Sequence, residues 1–162
     1  MPIAHPTIAF APLRCAPTEP AMPRADFYLI DKPRFREQPL LLVCELAKRA
    51  FAADLPTLVL ARDMAQAEAL DDLLWSFDPD EYLPHQIAGQ DEDEDEAPVL
   101  IATPDADVPA RPLLINLRDA APAGGFERVL EVVPADPAAR APLRERWKHY
   151  QSLGFDVKKY DM

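Results

Sequence analysis

The chain has 162 residues and a formal net charge of −11. Its 49% hydrophobic and 28% charged residues are the balance of a soluble globular protein, and the length suits one domain with a real core. No apolar run approaches the roughly 18 residues that span a membrane, and no basic-then-apolar leader opens the chain. Two cysteines make no disulfide framework. Cys44 lies among Leu40, Leu41, Leu42, Val43 and Leu46, the setting of a buried free thiol, which points to the cytoplasm.

The charge is unevenly spread. From Pro137 to Met162 there are six Lys/Arg against three Asp/Glu, whereas the rest of the chain carries 11 against 25. So acidic a protein is poorly suited to gripping nucleic acid directly, because phosphate binding needs a large face of Lys and Arg. The basic C-terminal segment is instead suited to something acidic.

In chain order, residues Met1 to Arg24 are proline-rich and aperiodic, and read as a disordered tail. Met22 is an alternative start. A single domain is expected over residues 25–162. Asp26 to Ile30 predicts a strand; a polar loop follows Lys32 and Pro33. Pro39 to Ala53 predicts a helix, with Leu42, Leu46, Ala50 and Phe51 at helical spacing. Thr57 to Ala61 is a wholly apolar run of the buried-strand kind. Asp63 caps a helix through Leu74, with Ala67, Leu70, Leu73 and Leu74 on one face. Further strands are predicted at Val99 to Ala102, Leu113 to Leu117 and Val129 to Val133. The last helix opens at Asp136-Pro137 and closes at Gly154, with an irregular first turn around Pro142. Asp91 to Glu96 is an acidic, solvated loop, and Pro104 to Pro112 a proline-studded one. Strands alternating with helices imply an α/β fold with a doubly wound, mainly parallel sheet, its strand order left open.

Such a sheet invites a nucleotide, and the sequence resists one. The chain has four glycines, and none opens a helix after the first strand, where a phosphate cradle would need them. Ser76 and Ser152 lie in no nucleophile elbow. His5, His85 (in a loop) and His149 share no zinc-type spacing with each other or with the cysteines. The neighbouring Asp71 and Asp72 diverge by about 100° on their helix. No catalytic residues, metal or cofactor are therefore expected. A nucleotide-dependent enzyme on the same scaffold remains the rival reading; direct DNA binding is a weaker one.

Two clusters stand out. On the last helix Ala139, Leu143, Trp147, Tyr150 and Leu153 share a face directed at the sheet, while Arg140, Arg144 and Lys148 form a basic ridge beside Trp147. Like charges at this spacing cost roughly 0.2–0.5 kcal/mol per pair. An anionic ligand explains them better than helix stability; an ordinary solvated face is the other reading. Trp75 lies about 130° from the apolar stripe of its helix. It precedes a loop containing Tyr82, Pro84 and His85, as an exposed anchor for a protein partner would. The alternative is a loop that folds back over the indole.

Three segments resemble the chi-subunit family of bacterial DNA polymerase III over about Ala25 to Val157. They are Phe27 to Ile30, Leu70 to Trp75 with Tyr82-Leu-Pro-His85, and Arg144-Glu-Arg-Trp-Lys-His-Tyr150 running into Gly154-Phe155. The resemblance implies a Rossmann-like sheet flanked by helices, without a nucleotide-binding site, and an accessory role in replication with no catalysis of its own. It implies a clamp-loader partner, the psi subunit or an equivalent, and contact with DNA only indirectly, through the acidic C-terminal tail of single-stranded-DNA-binding protein. On that reading Arg144 holds the tail's terminal carboxylate. Trp147, where tyrosine is more usual, and Val133 line the pocket for its apolar side chain, and Arg140 and Lys148 face its aspartates. Trp75 and Tyr82, the latter where phenylalanine is commoner, fall where the family meets psi and a replication-linked helicase. The tail before Met22 and the acidic run are outside the family pattern.

Overall fold

Largely apolar runs, Thr57–Leu60, Val99–Ala102 and Leu113–Asn116, form central strands, as a parallel sheet covered on both faces requires. Residues 23–78, 80, 83–88, 97–106, 108, 111–118, 121–122 and 127–162 are described by a computed structural model. Tyr82, Cys15, the acidic run Asp91 to Glu96 and the tail before Pro23 lie outside these residues. Among the described residues seven strands pair in one sheet: β1 (Arg24–Leu29), β2 (Thr57–Leu60), β3 (His85–Ile87), β4 (Val99–Ala102), β5 (Leu113–Asn116), β6 (Arg128–Val133) and β7 (Asp156–Asp161). Their order is β3-β4-β2-β5-β6-β1-β7, and all the pairings are parallel. The helices are α1 (Pro33–Glu37), α2 (Pro39–Ala52), α3 (Met64–Ser76) and α4 (Arg140–Ser152).

One face of the sheet, with Tyr28, Val59, Ile115 and Leu130, packs against Val43, Leu46 and Ala47 of α2 and Ala67, Leu70 and Leu74 of α3. The opposite face, with Phe27, Leu58, Leu114 and Val129, is covered by α4 and by loop residues such as Val108 and Ala121. The Asp63 carboxylate caps α3 by accepting from the Gln66 amide at 2.8 Å. Cys44 is fully buried, and burial pushes its thiol up to about 12.

The structure adds three elements that the sequence pattern did not reveal. The polar loop after β1 contains α1, started by Pro33 and pinned by the buried ring of Phe35. His85 opens β3 instead of lying in a loop. The chain after Gly154 forms β7, beside β1. Two expected core residues are also corrected. Phe51 is 39% exposed, because it lies in the last turn of α2 about 90° from the centre of the buried face formed by Leu42, Val43, Cys44, Leu46, Ala47 and Ala50. Leu153 is 57% exposed, because it follows the last residue of α4 where the chain turns away.

The topology also explains why the carboxyl edge of the sheet differs from that of nucleotide-binding proteins. Ligands of open α/β sheets bind outside neighbouring strands whose onward connections part. Here those strands are β2, which leads towards β3, and β5, which leads to β6. At that point the Arg118 guanidinium donates to the carbonyls of Ala61 at 2.8 Å and Ala102 at 3.0 Å. A protein side chain therefore ties the strand ends where a phosphate would need open backbone amides. Among the described residues no helix is long and apolar enough to cross a membrane.

Asp26 on β1 is fully buried and accepts two bonds from Arg128 on β6, at 2.6 and 2.9 Å. Removing Arg128 leaves the buried Asp26 with the longer contact from Arg24 at 3.4 Å, which compensates its charge less well. Arg128→Met is expected to cost about 3 kcal/mol in urea unfolding, and adding Asp26→Leu to recover much of it. Equal losses from the single and double variants would refute this coupling.

Candidate peptide-binding site

Helix α4 carries few apolar residues, and its attachment depends on where its polar ones point. Asp136 caps a single 3-10 turn over Pro137–Ala139, accepting from the Ala138 amide at 2.9 Å. The α-helix then begins at Arg140, so Pro142 falls in its first turn, where amides have no helical acceptor to lose. The end is a Schellman turn. Gly154 adopts φ +84°, its amide donates to Gln151, and the Phe155 amide donates to Tyr150 at 3.0 Å. The rings of Tyr150 and Phe155 meet at 5.2 Å and complete the motif.

Under the helix lies Glu131 of β6, fully buried. It accepts from the Tyr150 hydroxyl at 2.5 Å and from the Asn116 side-chain amide at 2.9 and 3.1 Å. The Arg146 guanidinium stands 2.9 Å from its other oxygen. Burial raises the pKa of Glu131 above the usual carboxylate range, opposed by the charge of Arg146 and by these hydrogen bonds. Phe27 of β1 packs against both aromatic residues of α4, 5.1 Å from Trp147 and 5.9 Å from Tyr150.

With Arg146 and Tyr150 turned inwards, the next faces of the helix border a cavity of about 310 Å³. Its apolar walls are Phe27, Leu29, Leu143 and Trp147; its cations are Arg144, Lys148 and Lys159. Among the described residues none of these three cations forms an ion pair. An apolar basin with a cationic rim can take a ligand that joins a hydrophobic group to carboxylates.

Of the residues expected to hold an acidic tail, the fold brings Arg144, Trp147 and Lys148 together at this cavity. Val133 is 3% exposed, in the core cluster beneath α4, and does not line it. Arg140 is exposed at the first position of α4, one turn before Arg144, and is not a wall either. Sequence reasoning missed Phe27, Leu29, Leu143 and Lys159 as wall residues. The sequence carried no local signal for Lys159, because Asp156–Asp161 lacks apolar alternation and joins the site only through its pairing with β1.

On the other face of the sheet, Trp75 is 58% exposed on the last turn of α3. Its ring meets the buried ring of His85 edge-on at 5.1 Å. His85 is fixed in turn, Nδ1 at 2.7 Å from the Leu83 carbonyl and Nε2 at 3.0 Å from the Asp71 carboxylate. The indole is thus presented outwards on a rigid support.

Fold and cavity together define a parallel α/β protein with an apolar, cation-rimmed cavity beside its last helix, away from the switch point of the sheet. The family model for the DNA polymerase III chi subunit, HolC, matches residues 22–158. The chain is 34% identical over 143 residues to the DNA polymerase III subunit chi of Pseudomonas aeruginosa, covering 86% of this chain and 96% of that one. It is 33% identical over 145 residues to the Escherichia coli subunit chi, covering 84% and 96%. The chain belongs to the DNA polymerase III chi subunit family.

The raised pKa of Glu131 means that the folded protein holds this proton more tightly than the unfolded chain. Its contribution is therefore present below the ordinary glutamate range and is lost as pH rises through the raised value. Unfolding free energies of the wild type and Glu131→Gln, compared between about pH 4 and 7, are expected to shift in favour of the variant as pH rises. A difference that stays constant across the range would contradict this.

Proposed function

We propose that the protein is a chi-type accessory subunit of DNA polymerase III, acting in DNA replication as a cytoplasmic adaptor without catalysis of its own. Its α4 cavity takes the acidic C-terminal tail of single-stranded-DNA-binding protein, so that DNA is engaged only indirectly. The observation that carries this reading is the pairing of apolar walls with cations that form no ion pair among the described residues, on a chain whose net charge is −11. The apolar terminal side chain of the tail enters among Phe27, Leu143 and Trp147, and Arg144 receives the terminal carboxylate through charge-assisted hydrogen bonds. Lys148 faces the acidic residues upstream. Arg140, a turn away, and Val133, beneath the helix, act on the site from outside its walls: the first through its charge, the second by supporting α4.

Arg144→Ala is expected to weaken binding of a synthetic acidic peptide with a free C-terminal carboxylate about tenfold or more, with the melting temperature unchanged. Amidating the peptide should produce a similar loss in the wild type and little further loss in the variant. Unchanged affinity by calorimetry would sink the assignment.

Trp75, together with Tyr82, forms a second and separate contact, for the psi subunit or an equivalent clamp-loader component and for a replication-linked helicase. Support comes from an exposed indole held on a rigid base, the kind of anchor that dominates protein interfaces. Trp75→Ala should weaken capture of such a partner by more than about tenfold while leaving tail-peptide affinity intact. Loss of both activities in a normally folded variant would rule out two independent sites.

A further inference from the structure

The cationic rim of the α4 cavity comes from two different elements. Arg144 and Lys148 are on the helix, whereas Lys159 is on β7, the edge strand across from it. In the parallel register Lys159 lies opposite Phe27 and Lys158 opposite Asp26. Partner residues of neighbouring strands point to the same face of a sheet, and successive residues to opposite faces. Lys159 therefore stands on the α4 side, level with the ring that packs against Trp147, while Lys158 stands on the other side. Asp161, two residues further on and level with Leu29, adds one negative charge to the same bank. Lys159 is what keeps that bank from being acidic and from repelling an acidic ligand.

Resting on the tail-binding reading above, we infer that Lys159 is a specificity-determining residue of this cavity. It takes a carboxylate upstream of the ligand's C-terminus, so that the bound peptide lies across the gap between α4 and β7. Lys148 and Lys159 then hold the acidic stretch from opposite banks, and Arg144 holds its end. Two like charges facing one another over an apolar floor gain most from an anion placed between them, which favours peptides carrying aspartates before the terminal residue.

The test uses the full chain, calorimetry and two synthetic peptides with free C-termini, one with aspartates before the terminal hydrophobic residue and one with asparagines there. Lys159→Gln is expected to weaken the aspartate peptide roughly two- to fivefold and to leave the asparagine peptide unchanged. Lys158→Gln, the same charge change one residue away on the other face, should alter neither. Equal losses from the two lysine variants would reduce Lys159 to diffuse charge and overturn its role, as would equal losses for the two peptides. Normal binding by Lys159→Gln where Arg144→Ala fails would remove Lys159 alone. A wild-type protein that binds neither peptide would overturn the tail-binding reading and this inference with it.

Discussion

Glu131 sits at zero exposure in an interior strand, and a carboxylate there costs several kcal/mol unless its oxygens are satisfied. Its donors come from two other elements, Asn116 from β5, and Arg146 and Tyr150 from α4. That requirement fixes the rotation of the helix about its own axis. With Arg146 turned inwards, residues two before and two after it are each about 200° away around the helix. Arg144 and Lys148 must therefore point outwards. Trp147, one step on, is left at the boundary, where it is half-buried against Phe27. One buried acidic side chain thus decides which side of α4 borders the cavity.

The same economy appears at the carboxyl edge of the sheet. A parallel α/β architecture provides a crevice where connections diverge, and most such proteins place a ligand in it. Here the crevice lies between β2 and β5, and Arg118 spends its donors on the strand-end carbonyls of Ala61 and Ala102. Partial burial lowers the pKa of this arginine, so its charge is held at some cost by the sheet and is directed at protein oxygens. At this edge of the sheet Arg118 thus serves the protein's own strand ends.

Strands β2, β4 and β5 were legible as largely apolar runs and β6 from the apolar residues either side of Glu131, and α3 because Asp63 marks its start and Leu70 and Leu74 its inner face. Strand β7 was not, since an edge strand with one exposed side reads Asp-Val-Lys-Lys-Tyr-Asp, and charged residues at an edge resemble a loop. Helix α1 was hidden because five residues offer too few turns for a periodicity. Half of the cavity was legible in the same way. The spacing of Arg144, Trp147 and Lys148 was visible on a helical wheel, but Phe27, Leu29 and Lys159 reach the site only through strand pairing, which local patterns do not encode. Arg146 was indistinguishable from its exposed neighbours, because its burial depends on Glu131, fifteen residues earlier on another element.

The position of the cavity follows from an imbalance between the two faces of the sheet. One face carries α2 and α3, whose apolar stripes close over its strands. The other has α4 alone among the described helices, placed by its Glu131 anchor over β6 and β1. A helix with side chains is about 10–12 Å across, whereas strands repeat every 4.7–4.9 Å, so one helix covers little more than two strands. Beyond β1 the sheet continues into β7 with no second helix to cover it. The gap left between α4 and β7 is floored by the apolar side chains of β1 and bordered by long, charged side chains that can reach water. A gap with an apolar floor is therefore what this topology produces once β7 is added to the edge and a single anchored helix is laid inside it, and Arg144, Lys148 and Lys159 give its rim a positive sign.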